Sequence, residues 1–335
     1  MELSRIAPEL RKPVRRFPAI PVESGLFRRL SRLALPLMRS PVTPGVLIEQ
    51  AVPGAPGVRV HRPAEIRSRA ALLWIHGGGL VMGAAKQDDR MCGATAAELG
   101  MVVVAADYRL APDFPFLTPL DDCHTAWTWL LRNAARLGVD PSRVIVGGQS
   151  AGGGLAAALA QRLCDEGGVQ PVAQWLFCPM LDDRTAARRE LDGIGHRIWN
   201  NRHNRYGWGA YLGAEPGRER AKGPEPDDEK PGGRDREGRD REGRDREGRE
   251  PPRYAVPARR EDLTGLPPAW IGVGDVDLFH DEDVAYADRL RAAGVPATFH
   301  AVPGAPHGFE AWAPNTTISR DFVRTGREWL SGFAG

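Results

Sequence analysis

Short apolar runs alternate with helix-like stretches along most of this chain. Residues 71–75 (ALLWI) and 101–106 (MVVVAA) contain no charged side chain, which is typical of strands buried on both faces of a sheet. Each run is followed by a helix-like stretch that ends at a glycine, Gly100 or Gly138, and glycine commonly closes a helix. This alternation predicts an α/β fold in which helices cover both faces of a mostly parallel sheet.

The same reading gives eight strands and five long helices. The predicted strands are residues 46–50, 58–61, 71–75, 101–106, 143–146, 173–178, 270–273 and 297–302, and the predicted helices are residues 87–99, 119–137, 152–163, 281–293 and 318–333.

Overall charge and apolar content exclude several other classes of protein. The 335 residues carry 45 Lys and Arg against 43 Asp and Glu, so the chain as a whole has no long-range attraction for nucleic acid or anionic lipid. No run of 18 apolar residues is present, which excludes a spanning helix. The N-terminal residues lack the apolar core of a secretory signal, and the four cysteines lack metal-site or disulfide-framework spacing. We therefore expect a cytoplasmic protein.

A highly charged segment interrupts the alternation. Residues 215–253 carry 12 Lys and Arg and 13 Asp and Glu, and they contain the repeat RDREG between Arg234 and Glu250. Such a composition cannot bury enough apolar surface to offset the entropy lost on ordering, so we expect a disordered insertion. An RNA-binding arm is the alternative, but the repeat balances seven Arg with seven acidic residues and would release few counterions.

One serine stands in the setting of a catalytic nucleophile. Ser150 lies between Gly148 and Gly152, directly after a predicted strand and before a predicted helix. So sharp a turn needs glycines two residues on either side, because a Cβ there would collide with the backbone. The helix that follows directs its N-terminal dipole at negative charge developing near the hydroxyl.

A second glycine-rich turn follows the predicted strand 71–75. His76 precedes three glycines at positions 77–79, which leave backbone N–H groups uncovered by side chains. An acyl-transfer site needs two or three such donors for the oxyanion, and Gly77, Gly78 and Ala151 would supply them. We expect His76 to orient this loop.

A serine nucleophile needs a base and an acid that orients the base. Of eight histidines, only His307 lies in a glycine- and proline-rich loop after the last predicted strand, where parallel-sheet active sites gather. Asp275, Asp277 and Asp281 follow the strand 270–273, and spacing alone does not choose among them. The order serine, acid, histidine is that of α/β-hydrolases rather than of the common serine proteases.

Five blocks in order resemble the hormone-sensitive-lipase-like α/β-hydrolase esterases. They are HGGG (76–79), DYRLAP (107–112), GQSAGG (148–153), GDVDLFHDE (274–282) and PGAPHGF (303–309). The resemblance implies Ser150 as nucleophile, Asp277 as triad acid and His307 as base, with Gly77, Gly78 and Ala151 as oxyanion donors. DYRLAP would brace the oxyanion loop through its first three residues, 107–109. The family usually has an acidic residue before the serine, where this chain has Gln149.

The resemblance also implies a function and a division of the chain. It implies a serine carboxylesterase that hydrolyses short-chain, relatively hydrophobic esters without metal or organic cofactor. An amide or lactone hydrolase or an acyltransferase with the same triad, or a non-catalytic receptor on this fold, are the alternatives, and a homodimer stays open. The expected parts are an N-terminal cap segment (1–45), an α/β-hydrolase catalytic domain (46–182 and 254–335), cap helices (183–214) and the charged insertion (215–253).

Overall fold

A single twisted sheet of eight strands forms the centre of the molecule. The computed structural model describes residues 1–18, 20–37, 39–213 and 250–335. The spatial strand order is β1-β2-β4-β3-β5-β6-β7-β8; β2 pairs antiparallel with β1 and β4, and the other neighbours are parallel. The strands are β1 (Val46–Val52), β2 (Gly57–Pro63), β3 (Ala71–Ile75), β4 (Val102–Asp107), β5 (Val144–Gln149), β6 (Gln174–Phe177), β7 (Ala269–Gly274) and β8 (Ala297–Val302). The predicted eight-stranded, mostly parallel sheet is confirmed.

Helices pack on both faces of this sheet. They are α1 (Pro8–Arg16), α2 (Gly25–Ala34), α3 (Asp89–Leu99), α4 (Thr118–Arg132), α5 (Ala134–Leu137), α6 (Ala151–Glu166), α7 (Arg184–Ala187), α8 (Asn201–Leu212), α9 (His280–Ala292), α10 (Phe309–Trp312) and α11 (Thr317–Ser331).

Strand β3 shows why the apolar runs form buried strands. Its side chains alternate between two separate cores: Leu73 and Ile75 enter one, and Leu72 and Trp74 enter the other. All four are at most 1% exposed. Because successive side chains of a strand point to opposite faces, a strand covered on both sides must be apolar throughout. Burying each such side chain contributes about 1.5–3 kcal/mol.

One predicted helix is divided in the structure. The stretch predicted as a single helix over 119–137 forms α4 and α5, separated at Asn133. The Asn133 amide Nδ2 donates to the Trp129 carbonyl at 2.8 Å. Short polar side chains of this kind compete with the backbone for hydrogen bonds and are unfavourable inside helices.

The N-terminal segment and the loop before α4 both contact α8. Residues preceding α2 contact the α8 region through the Glu23–Arg202 ion pair at 2.8 Å. The Phe116 N–H donates to the Tyr211 carbonyl on α8 at 2.7 Å. Residues 215–249 of the expected disordered insertion (215–253) lie outside the described residues. In the described remainder, Arg253 pairs with Asp165 at 2.7 Å.

Candidate active site

The chemically interesting residues lie on loops at one edge of the sheet. Strands β3, β5, β7 and β8 are parallel, so their carboxyl ends all open toward the same side. The loops after them carry Gly77 and Gly78, Ser150, Asp277 and His307, respectively. The structure therefore brings together all six site residues that the sequence pointed to, from four separate segments of the chain.

Ser150 occupies a strained turn between β5 and α6. Its φ of 56° and ψ of −121° are unusual for a residue other than glycine. The conformation is held by its own backbone: the Ser150 N–H donates to the Phe177 carbonyl at 2.8 Å, and the Ser150 carbonyl accepts from Met180 at 2.9 Å. Strain of this kind persists only where surrounding structure fixes it, and it is common at active sites.

The two glycines that flank the serine are required by close backbone contacts. A Cβ on Gly152 would lie 2.1 Å from the Ile75 carbonyl oxygen, and one on Gly148 would lie 2.4 Å from the Gly152 carbonyl oxygen. Neither contact is tolerable, and neither partner is a movable side chain. The spacing of glycines around Ser150 thus follows from the approach of β3 to the turn.

Ser150, His307 and Asp277 form a continuous line of hydrogen bonds. His307 Nε2 lies 2.9 Å from Ser150 Oγ, and His307 Nδ1 lies 2.8 Å from Asp277 Oδ2. A carboxylate accepts but does not donate, so the imidazole proton lies on Nδ1 and leaves Nε2 free to accept from the hydroxyl. The second oxygen of Asp277, Oδ1, accepts from the Phe279 N–H at 3.0 Å. The arrangement can remove a proton from the serine.

Hydrogen bonds distinguish the three aspartates that sequence spacing left as candidates for the triad acid. Only Asp277 reaches His307. Asp275 is exposed and accepts from the Gly304 N–H at 2.6 Å, which ties the loops after β7 and β8 together. Asp281 lies at the surface, where its Oδ2 is 3.5 Å from Arg188 Nη1.

Two of the three expected oxyanion donors, Gly77 and Ala151, adjoin the serine, and Gly78 follows Gly77. A Cβ on Gly77 would lie 3.4 Å from Ser150 Cβ, so this glycine packs directly on the serine. Gly78 has a φ of 125°, which L-residues rarely adopt. Ala151 begins α6. Within the described chain the N–H groups of all three lack a backbone acceptor, so they are available to an oxygen that develops negative charge.

The oxyanion loop is braced from beneath, though not by every residue that the sequence suggested. The Tyr108 hydroxyl donates to the His76 carbonyl at 3.0 Å, and the two rings stack with centroids 4.2 Å apart. Asp107 accepts from the Ala85 N–H at 2.6 Å. Arg109 was expected to brace the loop as well, but its guanidinium forms a two-point contact with Asp122 on α4.

Gln149 has a partner that the sequence did not reveal. Its Nε2 donates to Glu310 Oε1 at 2.5 Å, linking the residue before Ser150 to α10, which directly follows the loop that carries His307. Burial raises the pKa of Glu310, because a carboxylate is poorly solvated there. An amide beside this carboxyl avoids the like-charge contact that an acidic residue at position 149 would create. The absence of that acidic residue from GQSAGG was the one signal of such a partner.

A buried thiol lies against the triad. Cys178, Asp277 and His307 each place a potential ligand atom within 4.8 Å of the others, and this is the one such group of metal-binding side chains within the described ranges. Burial raises the pKa of Cys178, so it is a neutral thiol. Both imidazole nitrogens of His307 already have partners, Nδ1 in Asp277 and Nε2 in Ser150, and we assign no metal to the group.

The site is closed on its outer side. Ser150 and His307 are 5% and 6% exposed. The Trp199 indole packs onto the oxyanion loop, since a Cβ on Gly79 would lie 2.1 Å from it, and its ring centroid is 6.4 Å from that of His307. Water is thereby largely excluded, which strengthens electrostatic interactions inside the site.

This geometry agrees with a family match over most of the chain. Residues 72–224 and 241–311 match a family model described as the alpha/beta hydrolase fold. The chain belongs to the α/β-hydrolase family.

Named relatives place it among the esterases of that family. An ethyl acetate hydrolase from Pseudomonas putida is 32% identical over 267 residues, covering 75% of this chain and 70% of that protein. A solved bacterial heroin esterase has a TM-score of 0.80 at 31% identity and covers 99% of both chains. A solved esterase of the bacterial hormone-sensitive lipase family has a TM-score of 0.74 at 26% identity and covers 98% of this chain and 99% of its own.

The motif resemblance is thereby confirmed. This α/β-hydrolase is a carboxylic ester hydrolase similar to the hormone-sensitive-lipase-like esterases.

Proposed function

We propose that the enzyme hydrolyses short-chain, relatively hydrophobic carboxylic esters through an acyl-enzyme on Ser150. The observation that carries this proposal is the pair of hydrogen bonds joining Ser150 to His307 and His307 to Asp277. The N–H groups of Gly77, Gly78 and Ala151, which lack a backbone acceptor within the described chain, support it further.

The reaction follows from the positions of these groups. His307 Nε2 takes the hydroxyl proton as Ser150 Oγ attacks the ester carbonyl, and the three N–H groups bind the oxyanion of the tetrahedral intermediate. Collapse of this intermediate expels the alcohol, which receives the proton from His307. A water molecule, deprotonated by His307, then attacks the acyl-enzyme and releases the acid. Asp277 fixes the Nδ1–H tautomer and stabilises the imidazolium in both halves.

Tight packing beside Ala151, directly after the serine, supports a short acyl group. The cavity there, between α6 and α8, has a volume of only about 10 Å³, close to the minimum that holds one water molecule. Ala151 and Leu155 line it from α6, and Trp208 and Tyr211 close it from α8. The same preference is supported by the ethyl acetate named for the relative in Pseudomonas putida.

A series of p-nitrophenyl esters tests the acyl preference. We expect kcat/KM to be highest for acetate to butyrate and to fall at least tenfold by the octanoate, because longer chains do not fit between α6 and α8. Leu155→Ala, which enlarges the cavity, should move the optimum to longer acyl chains.

Leu163→Ala is the matched control for that series. Leu163 is another buried leucine of α6, but it does not line the cavity. Leu163→Ala should lower the free energy of unfolding by about 2–5 kcal/mol, as Leu155→Ala should, but it should not change the preferred acyl chain length. A wild-type preference for long chains, or an equal shift in both variants, would refute the short-chain assignment.

We also propose a cytoplasmic location. All four cysteines are free, and Cys92, Cys123 and Cys178 are buried. Unpaired thiols are typical of reducing compartments. No helix in the described part of the chain has the length and apolar character to cross a bilayer.

A further inference from the structure

Helix α2 presents a row of leucines to solvent. Leu26, Leu30 and Leu33 on the helix, and Leu37 in the turn after it, are 70%, 57%, 69% and 83% exposed. Their spacing of four, three and four residues places them along one side of the helix. We call these four residues the leucine row. Isolated exposed leucines are ordinary, but a contiguous apolar patch marks a site of interaction.

The opposite side of α2 is polar and is fastened to the protein. The Arg28 guanidinium donates to the Val22 carbonyl at 2.7 Å and lies over the Tyr206 ring at 4.8 Å. Arg32 donates to the carbonyls of Val81 and Ala111 at 3.1 and 2.8 Å. The helix therefore contacts the protein through its arginines and exposes its leucines. The hydrophobic effect within this chain would favour the opposite orientation.

The segment outside the described residues cannot supply an apolar cover. Residues 214–249 contain no Leu, Ile, Val, Met, Phe, Trp or Tyr. The hydrophobic effect scales with apolar area removed from water, and such a sequence offers almost none.

Charge distinguishes the two remaining candidates for covering the leucine row, which are a second copy of this chain and an anionic lipid surface. Residues 1–45 contain nine Lys and Arg against three Asp and Glu, so the near-neutral chain has a strongly basic N-terminal segment. Arg29, adjacent to Leu30, is exposed, and α2 contains no acidic residue. Two copies meeting through the leucine row would bring like charges together. An anionic lipid surface instead accepts apolar side chains and pairs with arginines.

We propose that α2 is an interfacial helix that binds the surface of anionic phospholipid membranes through the leucine row and the exposed Arg29 beside it. The helix lies in the plane of the headgroups with its leucines in the acyl region. Arg32 connects it to Val81, two residues beyond the glycines of the oxyanion loop. Membrane binding therefore places the active site beside the bilayer, where hydrophobic esters concentrate.

Co-flotation with vesicles tests this proposal independently of ester hydrolysis. The full-length enzyme is mixed with vesicles of phosphatidylcholine alone or of phosphatidylcholine with 30% phosphatidylglycerol. We expect binding to the anionic vesicles at low salt, with at least a tenfold lower bound fraction on neutral vesicles. The double variant Leu30→Gln, Leu33→Gln should lose binding at least tenfold, and Arg29→Glu should weaken it.

Leu47→Gln is the matched control, because Leu47 is 65% exposed but lies on β1. It should bind vesicles like the wild type, and all variants should hydrolyse p-nitrophenyl acetate at the wild-type rate. Three results would each overturn the proposal: no binding to anionic vesicles, equal loss in Leu47→Gln, or a wild-type dimer in sedimentation that the double variant converts to monomer.

Discussion

Replacing Ser150 with alanine is expected to lower kcat for p-nitrophenyl acetate by about 10⁶-fold, the scale seen when a triad nucleophile is removed. The hydroxyl lies 2.9 Å from His307 Nε2, on the residue against which Gly77 packs. The residual rate should come from the oxyanion donors and substrate binding alone. Steady-state kinetics on protein with an unchanged circular dichroism spectrum measures the effect.

Ser142→Ala provides the control for that substitution. Ser142 donates to Asp140 at the turn before β5 and takes no part in the site, so its replacement should leave kcat within twofold. Turnover by Ser150→Ala within tenfold of the wild type would mean that another group attacks the ester.

Asp277→Asn is expected to lower kcat by about 10⁴-fold with little change in stability. An asparagine amide can donate to Nδ1, which favours the tautomer with its proton on Nε2, and that tautomer cannot accept from Ser150. Asp275→Asn keeps an oxygen able to accept from the Gly304 N–H, so we expect less than a tenfold loss. Kinetics of the two variants side by side distinguishes these effects, and the opposite pattern would assign the acid to Asp275.

Much of the fold was predictable because burial on both faces leaves a strong pattern in sequence. Strands β3 and β4 are continuous apolar runs, and each predicted strand overlaps an observed one. The break at Asn133 escaped prediction because it depends on a side-chain hydrogen bond rather than on periodicity. The position of α2 escaped prediction because it depends on Arg32 donating to the Ala111 carbonyl, 79 residues further along the chain.

The candidate site was predictable only where local backbone geometry demands particular residues. The turn at Ser150 and the loop at Gly77 need glycines, so both leave motifs in the sequence. Choosing Asp277 over its neighbours needed either the family resemblance or the distance to His307. The Gln149–Glu310 bond and the cover formed by Trp199 join residues more than 100 positions apart, and no local pattern encodes such contacts.

Covalent labelling tests the central claim most directly. The wild-type enzyme is treated with a fluorophosphonate, digested and mapped by mass spectrometry. We expect a single stoichiometric adduct on the peptide carrying Ser150, formed in parallel with loss of esterase activity and absent from Ser150→Ala. Inactivation with the adduct on a different residue, or full activity after Ser150 has been modified, would contradict an acyl-enzyme at this serine.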